Sequence, residues 1–185
     1  MDVKDKGTRI DRDVMFLKIA KVIAERSTCL RAKVGCVVVV GDRIRSTGYG
    51  GAPSGEDHCI DVGCELRRVM APGHEHVGSD GTRFVHRDSS PGHVTEHCVR
   101  TVHAESNAIT WAAREGLSLE DGILYSTHGP CLDCAKLIIN VGIHKIVYLE
   151  PYQLDDGVNL LTKAELEVVE VATDWDLSAI ESIRS

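Results

Sequence analysis

Residues 103–149 read HAESNAITWAAREGLSLEDGILYSTHGPCLDCAKLIINVGIHKIVYL. Two helical patterns alternate there with two short apolar runs. Ala104–Glu115 spaces its apolar residues for a helix, and Gly116 is placed to stop it; Leu132–Val141 repeats the pattern and ends at Gly142. Ile123–Thr127 and Lys145–Leu149 are short runs rich in β-formers and read as strands. Strands separated by helices pair in parallel and are covered on both faces, so this stretch specifies an α/β fold.

The flanks extend that reading. Arg12–Glu25 sets Val14, Leu17, Ile19, Val22 and Ile23 among charges at helical spacing, with Asp11 as candidate N-cap. Cys36–Val40 (CVVVV) is a buried strand by length and branching, and Gly41-Asp42 turns it into a second strand, Arg43–Tyr49. Downstream, the pattern predicts a short helix at Asn159–Lys163, a last strand at Leu166–Val171 and a terminal helix at Leu177–Ile183. The expected architecture is one domain over residues 1–185. It is a three-layer sandwich, with a mixed five-stranded sheet between helices.

One segment does not fit the alternation. Pro53–Arg100 spans 48 residues, repeats Gly and Pro, and lacks a long periodic stretch. It holds six of the nine His (His58, His74, His76, His86, His93, His97) and three of the seven Cys (Cys59, Cys64, Cys98). A loop that long in a compact domain is commonly functional, and a metal is one means of ordering it.

Composition narrows the function. Hydrophobic residues make up 43%, enough for a core, and no apolar run approaches the roughly 18 residues needed to cross a bilayer. The start, MDVKDKGTRIDRD, is too polar for a secretory signal, so a cytoplasmic protein is expected. An odd number of Cys in that setting points to reduced thiols, metal or catalysis rather than a disulfide scaffold. The net charge of −7 makes a poor nonspecific binder of polyanions, and neither nucleic acid nor membrane is an expected partner.

The sharpest local signal is His103-Ala104-Glu105, followed 25 residues on by Pro130-Cys131-Leu132-Asp133-Cys134. Each piece opens a predicted helix. Cys131 and Cys134 stand at i and i+3, on one helix face, and a helix N-terminus favours the thiolate form that binds metal. One His and two Cys are three ligands, which leaves a fourth tetrahedral position open, as catalytic zinc sites do. Glu105 is close enough in sequence to serve as acid and base without being a ligand. Alone, Cys-x-x-Cys also fits a structural zinc half-site or a redox pair. Together the two pieces match the zinc-deaminase pattern His-x-Glu…Pro-Cys-x-x-Cys.

Around these motifs the sequence resembles the cytidine/deoxycytidylate deaminase superfamily, and within it the deoxycytidylate (dCMP) deaminases of the bacteriophage type. The resemblance rests on Lys33-Val34-Gly35-Cys36, Ser46-Thr47-Gly48-Tyr49-Gly50-Gly51-Ala52-Pro53, His103-Ala104-Glu105-Ser106-Asn107-Ala108-Ile109 and Gly129-Pro130-Cys131-Leu132-Asp133-Cys134-Ala135-Lys136, within about residues 13–150. It implies a cytidine deaminase-like fold and hydrolysis of dCMP to dUMP and ammonia. Zinc would sit on His103, Cys131 and Cys134. Glu105 would move protons from water to N3 of the base and to the leaving amine, and the Ala104 backbone would bond the pyrimidine oxygen.

The same resemblance implies further residues. Arg26 and Lys33, with Arg31 between them, are candidates for the phosphate, and Tyr152 for closing over the nucleotide. A second, structural zinc would tie down the insertion through Cys29, Cys59 and His93. The family's usual fourth ligand aligns with Thr101, so Cys98, Glu96 or His97 must replace it, and Cys98 suits zinc best. The family loop reads Gly-Tyr-Asn-Gly and its Asn bonds the sugar; here it is Gly48-Tyr49-Gly50-Gly51, so either the backbone at Gly50 substitutes or sugar recognition shifts elsewhere. The family also implies a homohexamer activated by dCTP and inhibited by dTTP, with Mg2+ on the triphosphate. Gly48, Tyr49 and Gly51 would lie near the effector, and Arg114 at a subunit interface. A phage-encoded protein would act in the host cytoplasm. His128 is atypical beside the motif: it either lines the pocket or is a loop residue. Cys64 has no expected role. The alternatives are a tRNA adenosine deaminase-like enzyme or other nucleotide deaminase of the superfamily, and a non-catalytic zinc-binding interaction module.

Overall fold

The computed structural model describes residues 9–69, 75–77, 83–85 and 95–171. Helix α1 (Arg12–Ala24) begins where Asp11 accepts the N–H groups of Asp13 and Val14 at 2.9 and 3.2 Å. Strands β1 (Gly35–Val40) and β2 (Arg43–Tyr49) form an antiparallel hairpin. Its turn places Gly41 and Asp42 both at positive φ, the conformation that matches strand twist in a two-residue loop.

The insertion carries more regular structure than its sequence suggested. Helix α2 (Cys59–Val62) is followed by β3 (Leu66–Val69), β4 (Glu75–Val77), β5 (Arg83–Val85) and β6 (Thr95–Cys98). β3 pairs with β6 and β4 with β5, both antiparallel. Ladders of three or four residues are too short to produce a periodic sequence signal.

The chain then runs through α3 (Ala104–Arg114), β7 (Ile123–His128), α4 (Leu132–Asn140), β8 (Lys145–Glu150), α5 (Asp156–Lys163) and β9 (Glu167–Glu170). The main sheet has five strands in the order β2-β1-β7-β8-β9. β1 is antiparallel to β2 and β7, whereas β7, β8 and β9 run parallel, so the sheet is mixed as expected.

Alternate residues of the central strands enter opposite layers. Cys36, Val38, Leu124, Ile146 and Tyr148 pack with Ala104, Ala108, Ala112, Ala135, Ile138 and Leu161 from α3, α4 and α5. Val37, Val39, Tyr125, Val147 and Leu149 pack with Phe16, Leu17 and Ala20 from α1. That period of two on strands buried from both sides is why β1 reads as an unbroken apolar run. Gly48 on β2 sets how closely α3 approaches: an ideal Cβ there would lie 2.1 Å from the Ala104 carbonyl oxygen.

Some boundaries move. β7 and β8 run on to His128 and Glu150, beyond the Thr127 and Leu149 limits expected from apolar content. α5 starts at Asp156 rather than Asn159, because its first turn is polar. The expected helix at Leu177–Ile183 lies outside the described residues. No helix among the described residues is long and apolar enough to cross a membrane.

Candidate active site

The helices α3 and α4 start beside one another at the carboxyl end of β7. Their N-cap residues are His103 and Cys131, and neither side chain caps its helix. They face each other instead. Cys131 Sγ lies 3.4 Å from His103 Nδ1, and Cys134 Sγ lies 3.5 Å from the same nitrogen. A sulfur and a nitrogen bound to one tetrahedral zinc ion, at about 2.3 and 2.0 Å, stand about 3.5 Å apart. The donor set and its spacing therefore fit zinc, and all three ligand atoms lie within 4.8 Å of one another.

Glu105 lies in the first turn of α3, 3% exposed, with Oε2 at 3.7 Å from Cys134 Sγ. Burial pushes its carboxyl up to about 6, although His103 pulls the other way. Cys131 is pushed down to about 4, first by the hydrogen bond from Cys134 and also by His103. The same hydrogen bond and burial push Cys134 up. Its bond to Cys131 raises His103 to about 9. The contacts thus favour the Cys131 thiolate, the form that binds a metal ion.

A cavity of about 300 Å³ opens above this group. His103, Ala104, Glu105 and Cys131 form part of its wall, with Gly50, Thr101, Arg31, His128, Glu150 and Tyr152 around them. Burial raises the Tyr152 hydroxyl to about 12. Of the phosphate candidates, Arg31 lines the cavity, whereas Arg26 and Lys33 are exposed side chains that do not. Gly50 offers nothing to a ligand through its backbone: its N–H donates to Val34, and its carbonyl accepts from Thr28 N and Ser27 Oγ.

The second group assembles differently from expectation. Cys59, Cys64 and Cys98 bring their sulfurs within 4.8 Å of one another, and Cys59 and Cys98 are 3.5 Å apart. Thr101 Oγ1 lies 3.4 Å from Cys59 Sγ. The pairing of Leu66 with Cys98 is what carries Cys64, two residues earlier, to the cluster. Burial raises the Cys59 thiol to about 11. Burial would raise Cys98 too, but hydrogen bonds from Thr101, the Arg100 backbone and Cys59 outweigh it and hold it at about 7. Cys29 is not in this group; it lines the cavity. His93 lies outside the described residues. Cys64 is the member that the sequence reading missed, because nothing local marks it.

The effector and interface candidates have structural neighbours of their own. Gly48 meets α3, and the Tyr49 carbonyl accepts from Asn107 Nδ2 at 2.7 Å. Gly51 bridges Val102 through its backbone. Arg114 lies over the Trp111 ring, 4.9 Å from its centroid.

A His/Cys/Cys group that fits zinc and a buried carboxylate thus stand together at the helix starts of a mixed α/β sheet. The family model for the cytidine and deoxycytidylate deaminase zinc-binding region matches residues 10–150, and the chain belongs to that family. It is 35% identical over 168 residues to deoxycytidylate deaminase of Enterobacteria phage T4, covering 84% of this chain and 87% of that protein. It is 40% identical over 141 residues to deoxycytidylate deaminase of Mycobacterium phage D29, covering 76% and 96%. Among solved structures, dCMP deaminase of the cyanophage S-TIM5 in complex with dCMP and dUMP is similar, at a TM-score of 0.65 and 27% identity over 89% of this chain and 99% of that one.

Proposed function

We propose that this chain hydrolyses dCMP to dUMP and ammonia. The observation that carries the reading is Glu105, buried at the foot of a nucleotide-sized cavity and beside a His/Cys/Cys group that fits zinc. The relatives that share the family add the substrate: those from phages T4 and D29 are deoxycytidylate deaminases.

His103, Cys131 and Cys134 would hold the ion. When bound, zinc supplies the Lewis acidity that lowers the pKa of a water at its open position toward about 7. Glu105 takes the proton from the attacking water and delivers it to N3 of the cytosine. With the water oxygen bonded to C4, Glu105 takes that hydroxyl's remaining proton and passes it to the amino group, so that the C4–N bond breaks, ammonia leaves and the C4 carbonyl forms. A carboxyl whose burial lifts it toward neutrality suits both directions of transfer. The Ala104 amide, in the unpaired first turn of α3, binds the pyrimidine oxygen. Arg31 is the cation at the cavity for the phosphate, and Tyr152 closes over the nucleotide.

Cys59, Cys64 and Cys98 would hold a second zinc that pins α2, β3 and β6 together, with Thr101 beside it. The reading extends to regulation. A cytoplasmic homohexamer would be activated by dCTP and inhibited by dTTP, each carrying Mg2+, at the Gly48–Gly51 loop and an interface that includes Arg114. The net charge of −7 and 4% aromatic content favour a free nucleotide over a polynucleotide.

The test is ammonia release from dCMP, CMP, deoxycytidine and an RNA, each with and without dCTP and dTTP. Turnover of dCMP above the other three supports the substrate assignment; preferred turnover of RNA overturns it. Sigmoidal dCMP kinetics that become hyperbolic with dCTP support the regulation, and kinetics indifferent to both triphosphates remove it.

A further inference from the structure

The register that pairs β7 with β8 sets His128 opposite Glu150 at the last rung, and both line the cavity. His128 Nε2 lies 3.4 Å from Glu150 Oε2, and its Nδ1 lies 3.1 Å from Thr127 Oγ1. Thr127 Oγ1 also accepts the Gly35 N–H at 3.2 Å. The Thr127 hydroxyl thus stands on one side of the ring, at Nδ1, and the Glu150 carboxylate on the other, at Nε2. A chain of polar contacts from the β1 backbone thus places the ring beside the Glu150 carboxylate. Burial lowers the His128 pKa, with Glu150 pulling the other way.

Two carboxylates therefore meet the cavity at different depths. Glu105 is 3% exposed at the base, and the Glu150 side chain is 60% exposed at the rim. The rim carboxylate repels a phosphate, for which Arg31 is the cavity's cation. It needs a donor. A deoxycytidylate has only two donor groups, the 4-amino group and the 3′-hydroxyl. The amino group is the one that reacts, at Glu105. Gly50 supplies neither a side chain nor an uncommitted backbone group for the sugar.

We infer that Glu150, oriented by His128, accepts a hydrogen bond from the sugar 3′-hydroxyl of the nucleotide and so is a specificity residue of this site. The inference rests on the proposed dCMP substrate. Glu150 would touch the substrate; His128 is a positioning residue.

Comparison of dCMP with 2′,3′-dideoxycytidine 5′-monophosphate tests it, in wild-type protein, Glu150→Ala and His128→Asn. A hydrogen bond to a charged group corresponds to about 10- to 100-fold, so wild-type kcat/KM should favour dCMP by that factor. Glu150→Ala should bring the ratio of the dCMP value to the dideoxy analogue's value down to about one. His128→Asn should reduce the ratio partway, through KM. Equal wild-type values for the two nucleotides overturn the inference, and so does a Glu150→Ala variant that slows both by one factor. Normal zinc content in each variant guards against misfolding as the cause. Absence of dCMP turnover in the wild-type protein would instead overturn the substrate assignment, and the inference with it.

Discussion

The two thiol clusters sit on opposite kinds of scaffold. His103, Cys131 and Cys134 stand on the first residues of two regular helices whose opposite faces are locked into the sheet core. Cys59, Cys64 and Cys98 stand on a four-residue helix, a connecting segment and the end of a four-residue strand. The first group is held by helices packed into the core, and two of its members, His103 and Cys131, occupy cap positions where a Ser, Thr, Asp or Asn would stabilise the helix by about 1 kcal/mol. Asp11 on α1 shows what such a cap does when no ligand is needed. The second group stands on short elements, so a metal there would contribute folding energy more than chemistry.

That contrast makes unequal predictions. Cys134→Ala should remove the ion from the first site and abolish turnover, with the second site still loaded in metal analysis. Loss of both ions together would show that the sites are not independent. Cys64→Ser should do the reverse: metal content falls from two per chain to one, and Tm drops by about 5 °C or more, while the folded fraction still turns over. If Cys64→Ser leaves metal content and Tm unchanged, the second cluster is only a set of packed thiols. Gly48→Ala comes next. An added methyl collides with the Ala104 carbonyl, so α3 must shift, at an expected cost of about 1–3 kcal/mol together with reduced kcat. A fall in stability without any change in kcat would mean that Glu105 is insulated from the seating of its helix.

What could be read from the sequence follows the same division. The strands of the sheet announce themselves by β-branched runs and the helices by spacing and terminal glycines, because burial against a core imposes local periodicity. His103, Glu105, Cys131 and Cys134 were legible because each ligand group lies within one short stretch. Cys64 was not, since only the pairing of β3 with β6 brings it to Cys98. His128 was left between pocket and loop, and Glu150 was not singled out, for another reason. They end strands whose apolar pattern stops one residue earlier, and polar strand ends resemble loops.

Glu105→Gln separates chemistry from architecture most directly. In the metal-free protein burial raises the Glu105 carboxyl to about 6 from an ordinary 4.5, so its proton stabilises the fold below pH 4.5 and that contribution is lost as pH rises through 6. A glutamine stays neutral throughout, and the metal-free variant should be more stable than wild type above pH 6 by about 2 kcal/mol. With zinc present at wild-type content, dCMP turnover should fall by about 10²–10⁴-fold. A zinc-loaded Glu105→Gln protein that deaminates dCMP at the wild-type rate would contradict the role assigned to Glu105.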